Sequence, residues 1–301
     1  MYDGVINVYK EKGFTSHDVV AKMRGIFRQK KIGHTGTLDP DAEGVLPVCL
    51  GNATKLCDML TDRTKAYRAV LLLGVTTDTQ DAGGTVLSTR PVTCTEEEVR
   101  EAVMSFVGTY AQVPPMYSAL KVNGQKLVDL ARRGIEVERK PREVEILSVE
   151  IGEMELPRAV ITVSCSKGTY IRTLCHDIGE KLGCGGCMES LLRIRSGSFL
   201  LEDAHRLSEL SEAAAAGEPE RYLVPTDACL MEYAAVTTLP EGDRPLSNGN
   251  PVDPELVVPF EGTEDALYRV YDSTGVFTGL YRLAGGKLRP EKMFFPSQGQ
   301  K

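Results

Sequence analysis

Segments of strand length and helix length follow one another in this chain in no repeating order, and that order limits its fold more than any other feature. Val5-Ile6-Asn7-Val8-Tyr9 opens as a strand. Val20, Met23 and Phe27 then fall at helical spacing, with Ser16 placed to cap the helix. Residues 53–60 read as a short helix and residues 66–75 as a strand. Thr95 and Glu98 have capping-box spacing ahead of Val99, Ala102, Val103 and Phe106. A helix from Leu127 should end near Gly134. Strands follow at 144–151 and 159–165. A helix should start at Ser166-Lys167-Gly168-Thr169, capped by Thr169, and stop at Gly183. A strand near 194–200 and a helix near 208–216 complete the pattern. Regular βαβ alternation would demand a parallel sheet. Its absence predicts α+β, with a largely antiparallel central sheet flanked by helices. From about Ala234 short strands and turns predict a small β-rich terminal module. The expected division is 1–232 and 233–301.

The chain has 301 residues and is 42% hydrophobic, enough to bury a sizeable core. Its longest apolar run, Ala69-Val70-Leu71-Leu72-Leu73-Gly74-Val75, is far short of the ~20 residues of a spanning helix. The N-terminus lacks the regions of a signal peptide, so a cytoplasmic location is expected. Eight cysteines in such a chain read as free thiols. Cys175-His176 with Cys184 and Cys187 puts four potential metal ligands close in sequence. Adjacent residues on a helix point about 100° apart, so incidental thiols are preferred over a zinc site.

Charge is informative once divided. Residues 1–200 carry 26 basic and 25 acidic side chains, and residues 201–301 carry 9 and 17. The acidity is C-terminal. A nucleic-acid binder usually has a basic footprint, and the overall balance of −7 opposes one. Local clusters support one: Lys22, Arg24, Arg28, Lys30 and Lys31; Arg132 and Arg133; Arg139, Lys140 and Arg142; Arg193 and Arg195. Charge alone does not decide.

Three segments carry groups capable of chemistry. In Gly33-His34-Thr35-Gly36-Thr37-Leu38-Asp39-Pro40, one carboxylate sits among several hydrogen-bonding side chains, although Asp-Pro by itself is common turn chemistry. In Ser166 through Arg172, a strand meets a helix start, where free N–H groups favour anions and Arg172 falls in the first turn. In Lys65-Ala66-Tyr67-Arg68, Tyr67 opens a strand, a place where tyrosine is usually half-buried packing.

These segments occur in order with Gly44-Val45-Leu46-Pro47, Gly51-Asn52-Ala53-Thr54-Lys55, Thr77-Asp78-Thr79-Gln80-Asp81, Pro115-Met116-Tyr117-Ser118-Ala119-Leu120-Lys121 and Asn248-Gly249-Asn250-Pro251. In this the chain resembles the bacterial tRNA pseudouridine-55 synthases, the TruB family. The likeness runs nearly end to end. It departs at Lys10-Glu11-Lys12-Gly13, where the family usually has Lys-Pro-x-Gly, which puts the local turn in question.

The resemblance implies a pseudouridine synthase fold with a PUA-like RNA-binding terminal domain. It implies isomerisation of uridine 55 in the T loop of tRNA, without metal or cofactor, by a monomer that needs no protein partner. Asp39 would be the catalytic carboxylate, attacking the base, attacking the ribose or removing a ribose proton. Each role requires an ionised Asp39 near neutral pH. Arg172 would pair with it and favour the charged form. Loss of a buried partner would then cost roughly 3–5 kcal/mol. Tyr67 would stack on the flipped uracil and help remove the C5 proton. His34 would fill the place that the base leaves, and flipping itself costs a few kcal/mol. Tyr170 and Leu191 would line the uracil pocket, Asp81 would support the Asp39–Arg172 network, and Lys55 and Arg193 would meet phosphates.

Three alternatives remain open to the sequence. One is a non-catalytic RNA-binding or RNA-folding protein, and another a guide-RNA-dependent relative. The third is a glycosidase pairing Asp39 with Asp41 or Glu43.

Overall fold

The computed structural model describes residues 1–295. β1 (Gly4–Lys10) packs Ile6 and Val8 on one face and Val5 on the other. α1 (Ser16–Phe27) buries Val19, Val20, Met23 and Phe27 against the first of these faces. Its cap is Thr15, not Ser16. Thr15 Oγ1 accepts from Asp18 N at 3.0 Å, and Asp18 Oδ2 accepts from Thr15 N at 2.8 Å. This closed box leaves Ser16 free to turn inward, where its Oγ accepts from Leu38 N at 2.9 Å.

β2 (Ile32–His34) and β3 (Glu43–Leu50) flank the loop that holds Asp39. A 3-10 turn (Gly51–Leu56) and α2 (Cys57–Thr61) then lead into β4 (Lys65–Leu73). A hairpin of β5 (Val75–Thr77) and β6 (Val86–Thr89) precedes α3 (Glu96–Met104), which Thr95 and Glu98 cap as expected. β7 (Gly108–Gln112), the small hairpin of β8 (Lys121–Val122) and β9 (Gln125–Lys126), and α4 (Leu127–Ala131) follow. β10 (Arg142–Glu155) and β11 (Arg158–Cys165) form a long antiparallel pair.

α5 (Ile171–Lys181) starts later than expected. Tyr170 occupies its N-cap without a side-chain capping bond, while Thr169 Oγ1 donates to Ser166 O at 2.9 Å. β12 (Gly186–Ser196) begins well before residue 194. A register shift between Met188 and Ser190 breaks its side-chain alternation, which hides the strand from a period-two reading. β13 (Phe199–Leu200) and α6 (Leu207–Ala215) end this part of the chain.

The central sheet runs β1-β3-β12-β4-β11-β10-β7, with β2 on β3 and β13 on β12. Every pairing is antiparallel except β12 with β3. There, Arg193 faces Gly44, whose φ is +103°. A Cβ on Gly44 would stand 2.3 Å from Arg193 O. Glycine is therefore required by both the backbone angle and the strand approach.

The terminal part contains β14 (Ala234–Thr238), α7 (Pro240–Ser247), β15 (Val257–Val258), β16 (Leu267–Tyr271), β17 (Phe277–Ala284) and β18 (Lys287–Met293). Its sheet order is β15-β14-β16-β17-β18. α7 departs from the expected pattern of short strands and turns. Pro240 opens the helix, where its missing N–H is harmless. Leu280 and Phe294 of this part share a core with Val5, Val45, Cys49 and Leu56. Asn52 Nδ2 donates to Phe294 O at 2.8 Å, and Lys292 Nζ to Asp58 Oδ1 at 2.7 Å. No described helix is long and apolar enough to cross a membrane.

Candidate active site

The loop between β2 and β3 is shaped from behind by buried groups. Lys10 has no exposed surface, and its Nζ donates to Glu11 O at 3.2 Å, Pro40 O at 3.1 Å and Ala42 O at 2.5 Å. Burial lowers its pKa to about 8, against the pull of Glu43, Asp39 and Asp41. Gly13 N adds a bond to Pro40 O at 2.9 Å, so the turn in question at residues 11–13 forms and closes on this loop. On the other side Arg193 Nε donates to Val45 O at 2.6 Å, and Nη2 to Gly36 O at 3.4 Å. Asp39 is presented between these two cationic anchors.

Arg172, in the first turn of α5, is 6% exposed. Its Nε lies 3.1 Å from Asp39 Oδ2. Nη2 donates to Tyr117 O at 2.9 Å, and Nη1 to Thr79 O at 3.2 Å, with Asp81 Oδ2 at 3.5 Å. Asp81 is itself held, since its Oδ1 accepts from Thr79 Oγ1 at 2.8 Å and from Gly83 N at 3.1 Å. Burial raises the pKa of Asp39, and Arg172 opposes that shift. The Asp39 side chain still keeps 44% exposure, so the pair opens onto solvent.

The pair faces a cleft of about 460 Å³. Leu191, Met188, Tyr117, Asp81 and Val128 line it, with Lys12 and Arg132 adding positive charge. The cleft thus joins apolar walls, a fixed cation and the Asp39 carboxylate, with Asp41, Asp81 and Glu189 adding negative charge. That suits a flat, partly polar group reacting at Asp39.

The other expected residues fall in distinct places. Tyr170 precedes α5 and is half-buried. Tyr67 is 8% exposed and lies across from Arg193 in the β4–β12 register. Burial raises its phenol pKa, with Arg193 opposing, so at neutral pH the hydroxyl keeps its proton. His34 packs edge-on against His17 at 5.3 Å between ring centroids. Burial lowers its pKa, which keeps the ring uncharged at neutral pH, and among the described residues its buried Nδ1 has no hydrogen-bond partner.

One expectation needs correction. Arg193 has no exposed surface and serves the Asp39 loop, so it is not placed to meet a phosphate. Lys55 is exposed, and its ammonium donates to Met293 O at 2.6 Å, which joins the terminal strand to the body. Of the other carboxylates near Asp39, Asp41 is an exposed residue of the cleft rim and Glu43 accepts from Tyr9 Oη at 3.2 Å. Cys175 and Cys187 are buried, and Cys184 Sγ donates to Gly185 O at 3.4 Å. Among the described residues no three His, Cys, Asp or Glu are gathered to hold a metal ion.

Sequence similarity fixes the family. The TruB family pseudouridylate synthase N-terminal domain matches residues 24–171, and the tRNA pseudouridylate synthase B C-terminal domain matches residues 172–231. A tRNA pseudouridine synthase B of Lachnoclostridium phytofermentans is 53% identical over 306 residues, covering 97% of this chain and 99% of its own. The chain belongs to the TruB family of pseudouridylate synthases. Another TruB relative, from Thiobacillus denitrificans, is 45% identical over 97% of this chain and 95% of its own. A chain from the crystal structure of a Cbf5–Nop10–Gar1 complex superposes with TM-score 0.75 at 26% identity, covering 97% of this chain and 85% of that one.

In this TruB chain two groups that shape the site stand outside the motifs that mark the family. Lys10 belongs to an irregular turn, and Gln112 to none of them. A lysine at the end of a buried strand was the available signal for the first, since lysine is almost never buried without partners.

Proposed function

We propose that this protein isomerises uridine 55 in the T loop of tRNA to pseudouridine, with Asp39 as the catalytic carboxylate. The observation that carries the reading is the Asp39–Arg172 pair at 3.1 Å, set in a cleft of about 460 Å³ that has room for a nucleobase, in a TruB-family chain. Relatives 45–53% identical bear the name tRNA pseudouridine synthase B, which supports tRNA as the substrate.

The reaction breaks the bond from the ribose to uracil N1, turns the base and joins the ribose to C5. The uridine must first leave its stack, at a few kcal/mol. His34, as a neutral ring beside the Asp39 loop, suits the space that the base vacates. Leu191 and Tyr170 would hold the uracil, and Arg172 would keep Asp39 ionised beside it. Tyr67 is buried and keeps its hydroxyl proton at neutral pH, so a proton-transfer role for it requires that another group first take that proton. We read residues 1–232 as the catalytic domain and 233–301 as a PUA-like RNA-binding module, in a monomer that needs no protein partner.

The test is to incubate the protein with unmodified tRNA transcript and map pseudouridine at single-nucleotide resolution. One modified position in the T loop is the expected result. No product, modification elsewhere, or release of free uracil would overturn the proposal.

A further inference from the structure

Gln112 ends β7 and is 1% exposed. Its carboxamide pairs with the main chain of Tyr170. Nε2 donates to Tyr170 O at 3.0 Å, and Oε1 accepts from Tyr170 N at 2.8 Å. A primary amide used in both senses reproduces the two-bond bridge of an antiparallel pair. The backbone beyond β7 cannot extend such a ladder, because Pro114 and Pro115 lack N–H groups. The side chain thus makes the link that the following backbone cannot.

The position of this link matters. Tyr170 is the residue before α5 and has no side-chain cap of its own. Further along from Gln112 the chain reaches Tyr117, whose carbonyl accepts from Arg172 Nη2 at 2.9 Å. Gln112, Tyr117, Arg172 and Tyr170 therefore close a ring of alternating chain segments and hydrogen bonds. Tyr117 and Arg172 both line the cleft, and Arg172 holds Asp39.

We propose that Gln112 is a positioning residue for the reaction: its amide fixes the start of α5 so that Arg172 meets Asp39 at a set distance and Tyr170 holds one wall of the base pocket. The inference rests on reading the cleft as the pseudouridine-forming site. Gln112 touches neither substrate nor reacting atoms, so its effect runs through Arg172 and Tyr170.

Two substitutions test it. Gln112→Met keeps the volume and removes both bonds. Gln112→Glu keeps an acceptor and replaces the donor with a carboxylate oxygen facing Tyr170 O, until that carboxyl is protonated. With Gln112→Met, kcat on tRNA transcript should fall on the order of 10- to 100-fold, because small misplacement of reacting groups is costly. KM for tRNA should stay within about twofold, because phosphate contacts dominate affinity for RNA and Gln112 makes none. The acidic limb of kcat should move to higher pH, as Arg172 stabilises the Asp39 anion less well. Gln112→Glu should be impaired at about pH 8 and recover toward about pH 6, where a buried carboxyl regains its proton and donates again.

A purely structural role would lower Tm and the folded fraction but leave the limb and the kcat per folded molecule unchanged. That outcome overturns the proposal. A second readout needs no turnover: NMR titration of the Asp39 carboxyl carbon should show a higher pKa in Gln112→Met than in wild type, and equality overturns the proposal. If wild-type protein makes no pseudouridine, the functional reading fails by itself, and the titration still decides the role of Gln112. If Gln112→Met does not fold, the pH recovery of Gln112→Glu decides.

Discussion

Arg172 approaches Asp39 through Nε at 3.1 Å while its other two nitrogens are fixed by the carbonyls of Thr79 and Tyr117. The guanidinium cannot follow Asp39 if the carboxylate moves. Distance and direction in this pair are set by the protein, not by the two side chains alone. The proposed role of Asp39 requires it ionised, burial raises its pKa, and Arg172 opposes that rise. Arg172→Met should therefore move the acidic limb of the pH–rate profile upward. The native state binds the Asp39 proton more tightly than the unfolded state does. Its stability thus declines as pH rises from the unfolded value to the folded pKa, and the substitution extends that window upward. The full 3–5 kcal/mol of a broken buried pair does not apply, because water reaches a side chain with 44% exposure. About 1–3 kcal/mol is expected, mainly from carbonyls left without a donor. Denaturant titration and rate profiles check both parts.

Asp39→Asn should abolish pseudouridine formation and leave tRNA affinity within about twofold, because the change removes a reacting group and not a phosphate contact. Product mapping together with a filter-binding isotherm measures this. Loss of binding equal to the loss of product would contradict the assignment.

Lys10 supplies three hydrogens to three carbonyls around the Asp39 loop. Its pKa of about 8 means that mild alkali converts it to an amine with two hydrogens. One carbonyl then loses its donor and the loop loosens, so activity should decline above about pH 8. For stability the sign is reversed. Between the folded value and 10.5 the unfolded state binds more protons, so this group makes the fold more stable as pH rises. Lys65 titrates in the same range, so Lys10→Met is the discriminating variant. It should be slower at neutral pH and lose the alkaline decline, as a full pH–rate profile would show.

Gly44→Ala places a methyl 2.3 Å from the Arg193 carbonyl at a φ of +103°. Roughly 3 kcal/mol or more of destabilisation is expected. The contact lies where β3 meets β12, so activity should fall even in the folded fraction. Thermal unfolding with single-turnover assays separates the two effects.

Much of this was visible in the sequence wherever a rule acts over a few residues. The Thr95–Glu98 box, the apolar stripe of α1 and the β10–β11 pair follow from local spacing. The Asp39–Arg172 pair followed from the family resemblance joined to the need of a desolvated carboxylate for a cation. What stayed hidden depends on contacts distant in sequence. Ser16 looked like a cap because nothing nearby reveals that Leu38 claims its hydroxyl. Arg193 looked like a phosphate ligand because a basic side chain in a strand does not announce that Val45 and Gly36 enclose it. Gln112 gave no signal, because its partner lies 58 residues away.

The terminal sheet is joined to the body by Asn52, Lys55 and Lys292 and by a core that Leu280 and Phe294 share with Val5 and Val45. Such a junction resists swinging. An RNA arm laid across both parts would meet a template of fixed curvature, and any misfit would be taken up by bending the RNA.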